Sequence, residues 1–170
     1  MGSTASTACK CLAGYTRSEA GDCVKCETGT YKTTSGPAAC TSCPVNTFLS
    51  TTGATSAASC KACPANSGTE GAVGGKSASE CKCSAGFTGT EGALCSECPA
   101  STFKASTGSA ACSQCPVNSH SEKGAIAISD CTCNTHFEGE INTVADMCTA
   151  VNSCEKATSD CDANAECKST

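Results

Sequence analysis

The chain has 170 residues, of which 20 are cysteine and none is tryptophan, and its formal net charge at pH 7 is −5. Large apolar residues are too sparse for one ordinary core, so this composition is typical of a disulfide scaffold in an oxidising, extracellular environment. The charges are dispersed without a basic cluster, which argues against nucleic acid as a partner, and no apolar run reaches the length of a membrane span.

The chain begins with MGSTASTACK, which has neither the basic nor the apolar region of a signal peptide. A secreted composition without a secretion signal predicts that residue 1 is not the native start of the protein.

Cysteines recur along the chain in C-x-C or C-x-x-C steps, which form an internal repeat. The steps begin at Cys9, Cys23, Cys40, Cys60, Cys81, Cys95, Cys112 and Cys131, and the single Cys148 follows them. Cys154, Cys161 and Cys167 have a different spacing. The repeat predicts small, disulfide-rich, all-β modules with short hairpins and turns. We expect them to form an elongated ladder or rod without a single large core.

All six aromatic residues occupy two fixed positions in this repeat. Three follow C-x-C steps and three follow C-x-x-C steps: Tyr15, Phe87 and Phe137, then Tyr31, Phe48 and Phe103. Gly68 and His120 take the remaining positions. An aromatic ring at a fixed distance from a half-cystine predicts one small core per module. Glycine-containing turns precede the next cysteine, and the alternation in residues 124–129 (GAIAIS) predicts a strand.

Cysteine spacing alone leaves the disulfide connectivity open. The simplest scheme is a ladder that joins the last cysteine of each step to the first of the next. Its pairs are Cys11–Cys23, Cys26–Cys40, Cys43–Cys60, Cys63–Cys81, Cys83–Cys95, Cys98–Cys112, Cys115–Cys131 and Cys133–Cys148. An interleaved scheme with Cys23–Cys40 and Cys26–Cys43 is the main alternative. Zinc bound by Cys23-x-x-Cys26 and Cys40-x-x-Cys43 is a further alternative that the C-x-C steps disfavour.

The sequence contains no catalytic motif that would indicate an enzyme, a cofactor or a metal site. His120 occupies an aromatic position and His136 directly precedes another, so we expect both to pack or to contact solvent. The chain is therefore predicted to be non-enzymatic.

Serine and threonine cluster in the turn regions, a composition that suits O-glycosylation. Small polar residues filling exposed loops would give the same pattern. The candidate sites are Thr33, Thr34, Ser35, Ser50, Thr51, Thr52, Thr55, Ser106, Thr107 and Ser109.

Two module families resemble these motifs. CxCxxGFxGxxxxxC at 81–95 and CKCLAGY at 9–15 resemble the last loop of EGF-like modules, whereas the CxxCPxxTF units resemble ephrin-receptor-like (TNF-receptor-like) cysteine-rich repeats. The resemblance divides the chain into an EGF-like C-terminal half at 1–23, ephrin-receptor-like repeats at 24–60, and cysteine-rich/EGF-like modules at 61–95 and 96–148. Residues 149–170 resemble the N-terminal half of an EGF-like module.

The EGF-like resemblance implies a pairing for the remaining cysteines. It implies Cys154–Cys167, and it leaves Cys161 in need of a fourth cysteine, which Cys9 of a following unit would supply. It also implies that residues 149–170 are completed by residues 1–23 of the next unit. The calcium-binding type of this family has acidic residues before its first cysteine. Here TAVNSC keeps only Asn152, which disfavours a calcium site.

These features together predict a structural repeat unit of an extracellular filament or cell-surface appendage, such as the mastigonemes whose components carry similar modules. Copies of the unit would assemble head to tail through disulfides, either as one polypeptide or as separate chains. The alternative is a ligand-binding or spacer stalk in the ectodomain of a receptor or adhesion protein.

Overall fold

The computed structural model describes residues 10–151, which form sixteen short strands. The strands pair in chain order as eight antiparallel two-stranded hairpins. The hairpins are β1 (Tyr15–Arg17) with β2 (Cys23–Lys25), β3 (Thr30–Tyr31) with β4 (Thr41–Ser42), β5 (Thr47–Phe48) with β6 (Lys61–Ala62), β7 (Ser67–Gly68) with β8 (Lys82–Cys83), β9 (Phe87–Thr88) with β10 (Ser96–Glu97), β11 (Thr102–Phe103) with β12 (Ser113–Gln114), β13 (Ser119–His120) with β14 (Thr132–Cys133), and β15 (Phe137–Glu138) with β16 (Thr149–Ala150). The predicted class of small, disulfide-rich, all-β modules is confirmed.

One disulfide closes each hairpin, with Cα–Cα distances of 5.4–5.8 Å. We number the closed loops 1 to 8 by their half-cystines: Cys11–Cys23, Cys26–Cys40, Cys43–Cys60, Cys63–Cys81, Cys83–Cys95, Cys98–Cys112, Cys115–Cys131 and Cys133–Cys148. The order is that of nearest neighbours along the chain. Cys9, Cys154, Cys161 and Cys167 lie outside the described residues, and so do the pairs expected for them.

The described residues divide into two compact units. Unit 1 contains the residues up to Glu97 together with Ser106–Ala111, and unit 2 contains Cys98–Ala105 and the residues from Cys112 onward. Three 3₁₀ turns, Ala57–Ser59, Ala78–Glu80 and Ile128–Asp130, each end directly before the half-cystine that closes their loop. Among the described residues these turns are the only helical elements.

Half-cystines form most of the buried apolar interior. Nine of the twelve buried apolar residues in 10–151 are cysteines, and the other three are Leu49, Phe103 and Ala125. In unit 2, Phe103 and Ala125 cluster with Cys131, and Ile128 packs against them. Apolar burial is therefore small in each module, and cross-links must provide the rest of the stability.

The prediction of a strand at 124–129 is wrong. Ala125 makes a single bridge to Phe103, and the chain then enters the 3₁₀ turn Ile128–Asp130. The Asp130 carboxylate accepts the N–H groups of Ile126 (2.8 Å) and Ala127 (3.0 Å). This local acceptor competes with strand pairing, so the apolar alternation of the sequence does not produce a strand.

Candidate functional site

The same turn opens every one of the eight loops. Its third residue after the half-cystine has a positive φ of 59–78°. The residues in this position are Gly14, Gly29, Asn46, Asn66, Gly86, Ser101, Asn118 and His136. Positive φ at the third position of a four-residue turn favours glycine or asparagine, and histidine is also enriched there. His136 therefore supplies the positive φ of the turn in loop 8, which its place beside an aromatic position did not indicate.

A hydroxyl group secures this turn in the C-x-x-C loops. The serine or threonine after the positive-φ residue donates its hydroxyl to the carbonyl oxygen three residues earlier, at 2.7–2.9 Å. These residues are Thr30, Thr47, Ser67, Thr102 and Ser119. The bond explains why a small hydroxyl residue precedes the aromatic position in these loops.

Main-chain hydrogen bonds join each of five loops to the loop before it. A turn glycine donates its N–H to the carbonyl oxygen of the half-cystine that opens the preceding loop, at 2.8–2.9 Å. The five pairs are Gly36–Cys11, Gly53–Cys26, Gly74–Cys43, Gly108–Cys83 and Gly124–Cys98, and every glycine in them has positive φ. The sequence predicted turns at four of these glycines, all except Gly74, and the structure adds that the turns bond to the neighbouring loop.

Loops 5 and 8, which follow C-x-C steps, are joined to the preceding loop by an asparagine side chain of that preceding loop. The Asn66 side chain donates to the carbonyl oxygen of Cys95 at 3.3 Å, and the Asn118 side chain donates to that of Cys148 at 3.0 Å. Every pair of consecutive loops in 10–151 is therefore joined by at least one hydrogen bond.

Only one of the six aromatic residues lies in a buried core. Phe103 is buried, whereas the other five aromatic residues are half-buried. The residue after the aromatic position in a C-x-x-C loop is at most 5% exposed, and these residues are Lys32, Leu49, Thr69, Lys104 and Ser121. Successive residues of a strand point to opposite faces, so the residue after the aromatic one faces inward. Because four of the five are polar, their burial escaped the sequence analysis.

The buried polar residues bond to the preceding loop. The Lys32 ammonium donates to the carbonyl oxygens of Tyr15 (2.8 Å) and Gly36 (2.7 Å). Ser121 donates its hydroxyl to the carbonyl oxygen of Thr102 at 3.0 Å. The Thr69 hydroxyl accepts the N–H of Asn46 at 2.9 Å. Burial lowers the pKa of Lys104, the counterpart of Lys32 in loop 6.

Carboxylates organise the ends of several loops. In loop 8, the N–H groups of Asn142 and Thr143 both donate to Asp146 Oδ2 at 2.7 Å, and these two bonds hold the pKa of Asp146 below its usual range. In unit 1, an ion pair with Lys82 (2.7 Å) and a hydrogen bond from the Thr107 hydroxyl lower the pKa of Glu70. The Glu70–Lys82 pair is solvent-exposed, so we expect it to contribute little to stability.

Loop 8 should loosen in acid because of Asp146. Its folded-state pKa is lowered, so its stabilising contribution is fully present above the ordinary carboxyl pKa and is lost as the pH falls through the lowered value. We expect hydrogen exchange at the Asn142 and Thr143 amides, corrected for intrinsic rates, to accelerate on acidification through that range. In Asp146→Asn this acceleration should vanish. An unchanged pH profile in the variant would assign the effect to another group.

All ten candidate O-glycosylation residues are exposed. They lie in the apical parts of loops 2, 3 and 6. The Thr107 hydroxyl differs from the others because it donates to the Glu70 carboxylate.

The concave regions that Thr88, Cys131 and Val24 help to line are clefts open to solvent. No group of three or more His, Cys, Asp or Glu side chains in this part is placed to hold a metal ion. His120 Nδ1 lies 2.9 Å from Asn134 Oδ1 on the surface. Within the same range, no helix has the length and hydropathy needed to cross a membrane.

A comparison with protein families identifies a family that shares this cysteine-rich repeat. The family described as "tyrosine-protein kinase ephrin type A/B receptor-like" matches residues 14–60 and 86–131. Each match begins at or beside the turn of a C-x-C loop and ends at the half-cystine that closes loop 3 or loop 7. No curated protein matches the chain. Its disulfides and this receptor-like family indicate an extracellular location and a non-enzymatic fold. Because the two matches cover more than half of the sequence, the chain belongs to the ephrin-receptor-like family of cysteine-rich repeats.

Proposed function

We propose that the chain is a structural repeat unit of an extracellular filament or cell-surface appendage, and that copies of it assemble head to tail. The observation that carries this proposal is the repeated bonding of consecutive loops, five through a main-chain contact between a turn glycine and a half-cystine and two through an asparagine side chain. When each module contacts modules that are close to it along the chain, length grows by repetition, and cross-links provide rigidity.

The cysteines available for links between copies are few. All sixteen cysteines from Cys11 to Cys148 are paired with one another. A disulfide between copies must therefore use Cys9, Cys154, Cys161 or Cys167. The EGF-like resemblance selects Cys161 of one unit and Cys9 of the next, with Cys154 bonded to Cys167. One EGF-like module would then consist of residues 149–170 of one unit and 1–23 of the following unit.

Isotope mixing tests this link. Labelled and unlabelled chains refolded together under oxidising conditions, and then cleaved after lysine, arginine and glutamate, should give a disulfide-linked pair of residues 1–10 and 157–166, which contain Cys9 and Cys161 without Cys167. Half of these pairs should combine one labelled and one unlabelled peptide, because the bond joins different chains. The proposal is wrong if Cys9 and Cys161 are free thiols, or if the linked peptides never mix labels.

The match to receptor-like repeats supports a second candidate function, a spacer or ligand-binding stalk in an ectodomain. A stalk would appear as single chains that do not join end to end, whereas a filament of repeated units shows a regular axial spacing. Electron microscopy of native material distinguishes the two.

O-linked glycans on the exposed loop apices are part of the proposed function. Glycans there would cover the surface without disturbing the buried half-cystines, since all ten candidate residues are exposed. The intact mass of native material should exceed that of the bare polypeptide by sugar increments. A mass equal to the polypeptide would remove the glycans from the proposal.

A further inference from the structure

Loops 2 and 6 are built alike but differ at one hydroxyl group. Each separates its half-cystines by 14 residues and follows a loop with a separation of 12. In each, a turn glycine, Gly36 or Gly108, donates its N–H at 2.8 Å to the half-cystine that opens the preceding loop. The residue before this glycine is Ser35 in loop 2 and Thr107 in loop 6, and both are exposed. The Thr107 hydroxyl donates to the Glu70 carboxylate, whereas the Ser35 hydroxyl donates to none of residues 10–151.

A turn of loop 4 holds Glu70 in place for this contact. Glu70 has a positive φ of 52°, which is uncommon for a residue other than glycine. The turn is closed around it, because the Ala72 N–H donates to the Thr69 carbonyl oxygen (2.9 Å) and the Thr69 hydroxyl donates to the Ala72 carbonyl oxygen (2.6 Å). Thr69 is buried and exchanges two hydrogen bonds with Asn46 of loop 3, at 2.9 and 3.1 Å. A strained residue that its surroundings keep in place points to a function for its side chain.

Two contacts with loop 5 fix the part of loop 6 beside Thr107. The Gly108 N–H donates to the carbonyl oxygen of Cys83 at 2.8 Å, and the Thr88 hydroxyl donates to the carbonyl oxygen of Ala110 at 3.0 Å. All of these residues belong to unit 1. The Thr107 hydroxyl is therefore held beside loop 4 by its neighbours as well as by its own hydrogen bond.

A sugar on Thr107 is incompatible with this hydrogen bond. O-glycosylation joins the hydroxyl oxygen to the anomeric carbon of an activated nucleotide sugar, the nucleotide leaves, and the hydroxyl proton passes to a base of the transferase. The substituted oxygen has no proton left to donate, and an ionised carboxylate can only accept. Bonds from the Lys82 ammonium and the Thr107 hydroxyl lower the pKa of Glu70 and so favour its ionised form. A sugar there would place two acceptor oxygens against each other.

We propose that Glu70 keeps Thr107 free of sugar. The glycans of loop 6 are then attached at Ser106 and Ser109, on either side. The inference rests on the O-linked glycans of the proposed function and names the residue that decides their position. A hydroxyl must leave its hydrogen bond before a transferase can use it, and bonds to charged acceptors are the stronger ones. Ser35 is not restrained in this way by any of residues 10–151, so loop 2 can carry sugar at the corresponding position.

The test maps sugars on the full chain secreted by a eukaryotic host that attaches O-linked glycans. Fragmentation that preserves glycosidic bonds gives the occupancy of each hydroxyl in the reduced tryptic peptide of residues 105–123. Occupancy of Thr107 should be at least about threefold lower than that of Ser106, and in Glu70→Ala it should rise to the level of Ser106. Glu97→Ala is the matched control, because it removes another exposed carboxylate of unit 1 and should leave the pattern unchanged.

Hydrogen exchange tests the contact itself in protein without sugar. Glu70→Ala should accelerate exchange of the Gly108 amide at least about threefold, because this part of loop 6 loses one of its hydrogen bonds. Unchanged exchange in the variant, equal occupancy of Thr107 and Ser106 in the parent, or no rise at Thr107 in Glu70→Ala would overturn the inference while leaving glycans at the other sites intact. Absence of sugar from all ten candidate residues in native material would instead remove the glycans from the proposed function, and this inference with them.

Discussion

Reduction of the disulfides is expected to unfold residues 10–151 completely at 25 °C. Each loop separates its half-cystines by 12–18 residues. In the chain-entropy model, a loop of this size contributes about 3 kcal/mol to stability. The sum over eight loops exceeds the about 5–15 kcal/mol by which a typical domain is stable. Apolar burial cannot replace it, since Leu49, Phe103 and Ala125 are the only buried apolar residues besides cysteine between positions 10 and 151.

The measurement compares oxidised protein with protein that has been reduced and alkylated. The alkylated chain should lose its amide protection and become fully sensitive to proteases, whereas the oxidised chain keeps both properties in the same buffer. A mock-treated sample that goes through alkylation without reductant is the control. Retained protection in the alkylated chain would mean that packing and hydrogen bonds suffice for the fold.

Gly29→Ala is expected to be the most destabilising of the conservative glycine substitutions. Gly29 has a φ of +78°, and an added Cβ would lie 2.1 Å from the carbonyl oxygen of Gly74 in loop 4. The oxygen belongs to the main chain and the backbone fixes the position of the Cβ, so the contact cannot relax by a side-chain rotation. A left-handed backbone costs a non-glycine residue about 1–2 kcal/mol, and the steric overlap adds to this cost.

Gly21→Ala separates the two contributions. Gly21 also has a positive φ, +91°, but no heavy atom lies within 4 Å of an added Cβ. Its substitution should therefore cost only the backbone strain. Urea unfolding with the disulfides intact should show a larger loss of stability for Gly29→Ala than for Gly21→Ala, by at least about 2 kcal/mol. Equal losses in the two variants would show that the loop 2 turn does not approach loop 4 as the structure describes.

Much of the fold follows from the spacing of cysteines. In C-x-x-C, two half-cystines are separated by only two residues, so the first can close one loop and the second can open the next. The ladder expected from this spacing has the same pairs as the structure. The spacing also explains why the strands are short, because each one begins within four residues of a half-cystine.

Side-chain burial was harder to predict. Tyr31 was expected in a core, but the inward position belongs to Lys32. The Lys32 ammonium donates to two main-chain carbonyl oxygens. No hydropathy pattern indicates a buried lysine, because folding is what brings the two accepting carbonyl groups next to the ammonium. The prediction of a strand in the GAIAIS segment failed for a similar reason. The Asp130 carboxylate accepts two N–H groups of this segment and prevents strand pairing, and the apolar alternation does not reveal this.

The main-chain contacts between loops were not predictable for a related reason. The sequence marks Gly36, Gly53 and Gly108 as turn residues, but their bonding partners lie in a different loop, 25–27 residues earlier. The partner of each glycine follows from how one closed loop lies against the next. The EGF-like halves at 1–23 and 149–170 stay a prediction from resemblance.

The connectivity of loops 1 and 2 tests the central claim, a ladder of nearest-neighbour disulfides, most directly. Trypsin digestion of the oxidised protein at a pH low enough to suppress disulfide exchange should release residues 11–17 joined to residues 18–25 as an isolated two-chain fragment, through Cys11–Cys23. Residues 26–32 should remain joined to residues 33–61 through Cys26–Cys40. Recovery of residues 18–25 joined to residues 33–61 would instead show the interleaved pair Cys23–Cys40 and contradict the ladder.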